Sequence, residues 1–276
     1  MFSDISFLVA ELNPTLAQTI RSLDTEHHSN PEIELYAGRS SGLLKAYVHT
    51  NNLEKCSWLL GFQGISKNDI NRALSIACGL NRANIIDLLV KDGRADVTFD
   101  DQALLKWACA NGRTDYVQSL MKNVHVHVHL DVSDNLPLRL AVKGGHTEIV
   151  SLLLSSNYVD PSIRKNEPLR TACRCGHTAI VRLLLEWHIH AGDSDDEAIL
   201  YSCGGGHLEI VRILLNRQDV DPAKNLNLPL RWAYIRHQMN PTNADVKEII
   251  RLLLSDSRVL GRPIPEYIQV DMFKDL

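Results

Sequence analysis

Pro137-Leu138-Arg139-Leu140-Ala141, Pro168-Leu169-Arg170-Thr171-Ala172 and Pro229-Leu230-Arg231-Trp232-Ala233 are three copies of one pattern, and their spacing decides the fold. Carrying the alanine outward gives a series of anchors, Ala46, Ala77, Ala108, Ala141, Ala172, Ser202 and Ala233, separated by 31, 31, 33, 31, 30 and 31 residues. A period in that range predicts a solenoid of small units, none able to bury its apolar face except against a neighbour. In the first unit Leu59 and Leu60 fit better with Tyr47 as anchor, a shift of one residue.

Each unit reads as two short helices. Four residues after the anchor stands Gly112, Gly145, Gly176 or Gly206, with Asn81 in that place in the second unit. Such residues adopt the left-handed conformation that ends a helix. A second helix follows, with Ile149, Val150 and Leu153 recurring as Ile180, Val181 and Leu184 and then as Ile210, Val211 and Leu214, an apolar face too wide for solvent. The small anchor lets neighbouring first helices approach closely. Proline near the start of a first helix is tolerated because the early amides lack intrahelical partners. Two residues before it stands Asn71, Gln102, Asn135, Asn166, Asp196 or Asn227, a residue type that either caps a helix or tolerates a left-handed turn.

The repeats Gly145-His146-Thr147-Glu148-Ile149-Val150, Gly176-His177 and Gly206-His207-Leu208-Glu209-Ile210-Val211 resemble the Gly-His-x-x-Ile-Val signature of ankyrin repeats, in phase across residues 37–256. The pattern Asn-x-Pro-Leu-Arg-x-Ala and the tripeptide Val-Asp-Pro at 159–161 and 220–222 are similar to arrays of lower eukaryotes and large DNA viruses. The resemblance implies an all-α ankyrin solenoid of about seven stacked helix-turn-helix units with short finger loops. A capping segment at 1–36 and a capping tail at 257–276 are expected to flank it. It also implies a non-catalytic interaction module that holds a partner protein in a concave groove of fingers and first helices. The chain departs from the family in carrying Arg139, Arg170 and Arg231 where a histidine is usual, and Leu136, Glu167 and Leu228 where a threonine is usual. Its fingers are about two residues shorter and lack the Asp-x-x-Gly turn. The last unit holds eight extra residues between Ala233 and Ile249, which predicts an enlarged interhelical loop at Asn240-Pro241-Thr242-Asn243.

Composition narrows the function classes. A net charge of −4 gives no general attraction for nucleic acid or anionic lipid, and no apolar run reaches membrane-spanning length. A monomer in the cytosol, or in the nucleus, is expected. Cys78, Cys109, Cys173 and Cys203 follow anchors and read as small core residues in a reducing compartment. No phosphate-binding glycine loop, Gly-x-Ser-x-Gly elbow or His-Glu-x-x-His helix is present, so neither catalysis nor a cofactor is expected.

The expected partner site follows the first helices. The residue before the anchor is large and aromatic at Trp107, Tyr201 and Trp232, the type that dominates interface hot spots. Two before the anchor, Lys106, Arg139, Arg170 and Arg231 form a cationic ladder broken at Leu200. Lys143 and Arg174 on first helices and Arg164 and Lys165 on a finger complete a basic surface suited to an acidic segment. The competing reading has the aromatics packing helices together and each arginine pairing with a neighbouring carboxylate or helix carbonyl. The alternative function is zinc binding by His125, His127 and His129, whose alternation puts three rings on one side of an extended segment, though no fourth ligand is evident. His188 and His190 lie two units away, too far to share that metal. The recurring His146, His177 and His207 read as structural, bonding to loop backbone. Asp193, Asp195, Asp196 and Glu197 read as a solvated acidic finger tip.

Overall fold

The computed structural model describes residues 41–61, 64–122, 132–156, 158–187, 189, 191–266 and 268, and every regular element among them is a helix. Residues 1–36, the histidines at 125, 127 and 129, and His188 and His190 lie outside the described residues. Packing divides the chain into two compact units, Met1–Trp107 and Ala108–Leu276.

In the first unit, α1 (Ser41–His49) and α3 (Lys67–Gly79) pack as first helices, and α2 (Leu53–Leu60) and α4 (Ala83–Asp92) as second helices. α5 (Phe99–Ala110) carries the division between the units. The second unit continues with α6 (Thr114–Lys122), α7 (Val132–Gly144), α8 (Thr147–Ser155), α9 (Ile163–Cys175), α10 (Thr178–Glu186), α11 (Asp193–Gly205), α12 (Leu208–Leu215), α13 (Lys224–Met239), α14 (Ala244–Ser255) and the short α15 (Ser257–Leu260). Its first helices α7, α9, α11 and α13 form one row, and its second helices α6, α8, α10, α12 and α14 form another. Ile149, Val150 and Leu153, with their counterparts in α10 and α12, are completely buried between the rows. Each such side chain contributes roughly 1.5–3 kcal/mol.

The anchor has a backbone role as well as a small side chain. Its carbonyl accepts the amide of the residue five positions on, closing the first helix: His146 to Ala141 (3.0 Å), His177 to Ala172 (3.0 Å) and His207 to Ser202 (3.0 Å). In the first unit Arg82 bonds in this way to Ala77 (2.9 Å) and Asn52 to Tyr47 (2.9 Å). Tyr47 is buried where Ala46 is only half-buried. Serine serves as the anchor at position 202 because its hydroxyl donates to the Ala198 carbonyl (2.7 Å) and leaves no polar group stranded.

The fingers are built by left-handed backbone in place of the missing Asp-x-x-Gly turn. Arg164, Lys165 and Asn166 have φ of 50, 58 and 60°, and Asn225, Leu226 and Asn227 have φ of 51, 58 and 59°. The helical hydrogen-bond pattern of α9 and α13 therefore begins on a turn of the opposite hand. The buried polar residue that closes this turn, like its equivalent Asn71 in the regular helix α3, does not cap its own helix. It reaches the next finger: the Asp96 amide donates to Asn71 (2.7 Å), Asn135 donates to the Asp160 carbonyl (3.0 Å), and the Asp221 amide donates to Asp196 (2.9 Å). The side chain thus locks each finger to the next, and in the second unit the left-handed turn is what aims it. Leu226 sits in this turn with its side chain 66 % exposed, although a left-handed leucine is strained by about 1 kcal/mol or more. Leu226→Asn, in a residue type that tolerates that conformation, is expected to raise stability by about 0.5–1 kcal/mol, read from thermal melts.

The eight extra residues of the last helix pair go mostly into helix, not into a large loop. α13 runs six residues past its anchor, whereas α9 and α11 stop three past theirs, and Ile249 is the sixth residue of α14 where Ile180 is the third of α10. Only Asn240 to Asn243 separate the two helices. Pro241 keeps Asn240 extended (φ −145°) and stops α13, and the Asn243 side chain caps α14 through the Val246 amide (3.1 Å). Beyond α14, Val259 and Ile268 are buried, Asn227 donates to the Pro263 carbonyl (3.2 Å), and Arg262 bonds the Ala223 carbonyl and the Asp221 carboxylate, each at 2.9 Å. Pro263 thus meets Asn227 as the next finger meets Asn71, Asn135 and Asp196.

Candidate functional site

The recurring histidines join one helix pair to the next. Nε2 of His146 donates to the Ala110 carbonyl (3.1 Å), that of His177 to Lys143 (3.4 Å) and that of His207 to Arg174 (3.2 Å). The acceptors are carbonyls at first-helix ends rather than loop backbone, so each histidine satisfies one of the orphan acceptors there. Each ring also lies against the left-handed glycine of the preceding pair: a Cβ on Gly176 would stand 2.6 Å from His207 Cε1.

The cationic ladder is largely neutralised. Arg139 Nε lies 2.9 Å from a Glu167 oxygen, and Arg170 pairs with Glu197 while donating to the Lys165 (3.1 Å) and Arg164 (3.0 Å) carbonyls. Arg164 meets Asp134 at 2.7 Å, and in the first unit Lys106 meets Asp101 at 2.8 Å. The three arginine pairs act as rungs between neighbouring helices, whereas the Lys106 pair lies within α5. Lys165 is exposed at the finger and engages another group of the protein. Trp107 is also taken up by the fold: it is 5 % exposed, and its indole N–H donates to Asn81 (2.8 Å). Within the acidic stretch, Asp196 is buried on the next finger and Glu197 is spent on Arg170.

A different subset remains open. Lys143, Arg231 and Arg236 have no carboxylate partner among the described residues, and Arg174 instead lies over the half-buried Tyr201 ring at 5.9 Å. Trp232 is 45 % exposed, its ring resting where a Cβ on Gly204 would come within 2.6 Å of it. All these residues project from first helices of the second unit.

Sequence reading missed a second set of arginines. Arg94, Arg217 and Arg258 each sit two residues from an aspartate, Asp92, Asp219 and Asp256, and hold it at 2.7, 2.8 and 2.6 Å. Each then reaches the preceding helix pair: Arg94 donates to the Leu60 carbonyl (2.6 Å), Arg217 to Ile189 (3.2 Å), and Arg258 to Leu215 (2.8 Å) and Val220 (2.8 Å). The hydrogen bonds from Arg94 and Arg258 hold Asp92 and Asp256 below the usual carboxylate range. Partial burial opposes the same effect at Asp219, but Arg217 and the Ala191 amide overcome it. The charge order differs among the three copies, Asp-x-Arg in two and Arg-x-Asp in one, which hides the periodicity.

Burial pushes the thiols of Cys56, Cys78, Cys109 and Cys173 up to about 12 and that of Cys203 higher still, whereas Cys175 is exposed. Thiolate is the reactive form, so those five are inert in the folded protein. Native alkylation at pH 8 should label Cys175 alone, with the other five labelled only in denaturant, as peptide mass spectrometry would report.

No helix among the described residues is long and apolar enough to cross a membrane. A family model described as ankyrin repeats in three copies matches residues 43–134 and again 105–195, more than half of the chain. No curated protein matches it. Among solved structures, the crystal structure of the human ASB11 ankyrin repeat domain aligns over 70 % of this chain and 96 % of that one, with 22 % identity and a TM-score of 0.47. With the family model covering residues 43–195, including Gly145-His146 and Gly176-His177 with their paired helices, the chain belongs to the ankyrin-repeat family.

Proposed function

We propose that this protein is a non-catalytic interaction module that holds a partner protein on the first-helix face of residues 108–276. The observation that carries the reading is the uneven pairing of charge. Arg139, Arg164 and Arg170 are consumed by Asp134, Glu167 and Glu197, yet Lys143, Arg174 and Arg231 on the same row of helices meet no carboxylate among the described residues, and Arg174 lies over the accessible Tyr201 ring while Arg231 adjoins the exposed Trp232 in the chain. Cations without internal partners beside accessible aromatics are groups whose interaction energy remains available to a ligand. An acidic protein segment fits that chemistry, and a cytosolic or nuclear setting suits six unpaired cysteines.

Affinity purification with quantitative mass spectrometry tests this, comparing wild type with a Lys143→Glu, Arg174→Glu, Tyr201→Ala triple variant. The changed side chains are exposed or half-buried, so melting should stay close to wild type. At least one specific partner should be depleted about tenfold or more. Retention of every partner by the folded variant would refute the assignment.

A further inference from the structure

The last helix pair is apolar where the others are polar or small. Two residues after the anchor the second unit carries Ala110, Lys143, Arg174 and Gly204, but α13 carries Ile235, which is 55 % exposed. Met239, on the turn that only α13 possesses, is 77 % exposed. The last described helix pair lines up Trp232, Ile235 and Met239 at i, i+3 and i+7, within roughly a 60° arc of the helix and over about 10 Å of its length. Arg236 borders the ridge on one side and Arg231 on the other, and neither meets a carboxylate among the described residues. Gly204, by leaving room for the Trp232 ring, orients the ridge before any ligand arrives.

We propose that this ridge seats an acidic amphipathic helix of the partner. Bulky aliphatic or aromatic side chains at three- or four-residue spacing would pack on Trp232, Ile235 and Met239, and flanking Asp or Glu would meet Arg231 and Arg236. The spacing of the ridge matches the anchors an amphipathic helix presents, and two unpaired cations select acidic flanks over basic ones. The inference rests on the partner-binding reading given above and locates its hydrophobic anchor.

The test selects 16-residue peptides from a random phage-displayed library on the full chain and measures the winners by fluorescence anisotropy. Selected peptides should combine Asp or Glu with Leu, Ile or Phe at helical spacing. Ile235→Ser and Arg236→Glu, both at exposed positions, should each weaken them about tenfold without moving the melting temperature. A peptide with its acidic residues changed to lysine should bind Arg236→Glu better than wild type. Loss of binding on Arg174→Glu and Tyr201→Ala but not on Ile235→Ser or Arg236→Glu would overturn this inference and leave the broader face in place. Peptides indifferent to all four changes would overturn both. Basic or uncharged winners, no winners, or a dimer in ultracentrifugation that Ile235→Ser dissociates would each overturn the acidic-helix proposal, the last in favour of a second copy of this chain.

Discussion

Gly176→Ala should cost about 3 kcal/mol, seen as a melting temperature lower by roughly 5–10 °C. Two effects add. Gly176 has φ of 77°, where a Cβ meets the following carbonyl and costs about 1–2 kcal/mol. The new methyl would also stand 2.6 Å from Cε1 of His207, a ring held by its bond to the Arg174 carbonyl and unable to withdraw freely. The second effect can be separated from the first. His207→Ala alone should cost about 1 kcal/mol for the lost hydrogen bond, but in the Gly176→Ala background it should restore part of the stability by removing the obstructing ring. Urea melts of the two single variants and the double variant decide the matter. Strict additivity would mean that glycine is needed only for its backbone conformation and that the close histidine is incidental.

Ala172→Leu is expected to destabilise by about 3 kcal/mol, because Ala172 is fully buried in the row where α9 meets its neighbouring first helices. Three extra carbons there must push backbone away from backbone, and short helices held mainly by that packing have no other way to yield. Ala172→Ser should be nearly silent by comparison, below about 1 kcal/mol, since the equivalent Ser202 returns its hydroxyl to the carbonyl four residues earlier. Comparable losses in both variants, by denaturant midpoint, would show that polarity and not size is what the anchor position excludes.

The repeat itself was legible because its period is enforced by burial. A residue that contacts the same neighbours in every unit must be the same kind of residue, and Ala141, Ala172 and Ser202 with Ile149, Ile180 and Ile210 announce this directly. The candidate site was legible only in part. Arg139 and Arg170 looked like Arg231, yet Glu167 and Glu197 of the next helix pair neutralise the first two, whereas Arg231 meets no carboxylate among the described residues. Trp107 and Trp232 share a repeat position but not an environment: one is folded away on Asn81 and the other stands open. The eight extra residues near Asn240 suggested a loop, since sequence shows length without showing where helical hydrogen bonds continue.

What the amino-acid sequence determined by itself was the unit: two helices, the residue at which they meet, the glycine that ends the first and the histidine that follows it. These are local or nearest-neighbour requirements, and they repeat because their causes repeat. Only the tertiary structure decided which charges are spent and which surfaces stay open. That outcome depends on pairs such as Arg170 with Glu197 and Asp196 with the Asp221 amide, which lie some 25 residues apart and meet only after neighbouring units have stacked. Burial selects residue types one position at a time and therefore leaves a pattern in the chain. Pairing across units depends on two positions at once, and it becomes visible only where the backbone brings them together.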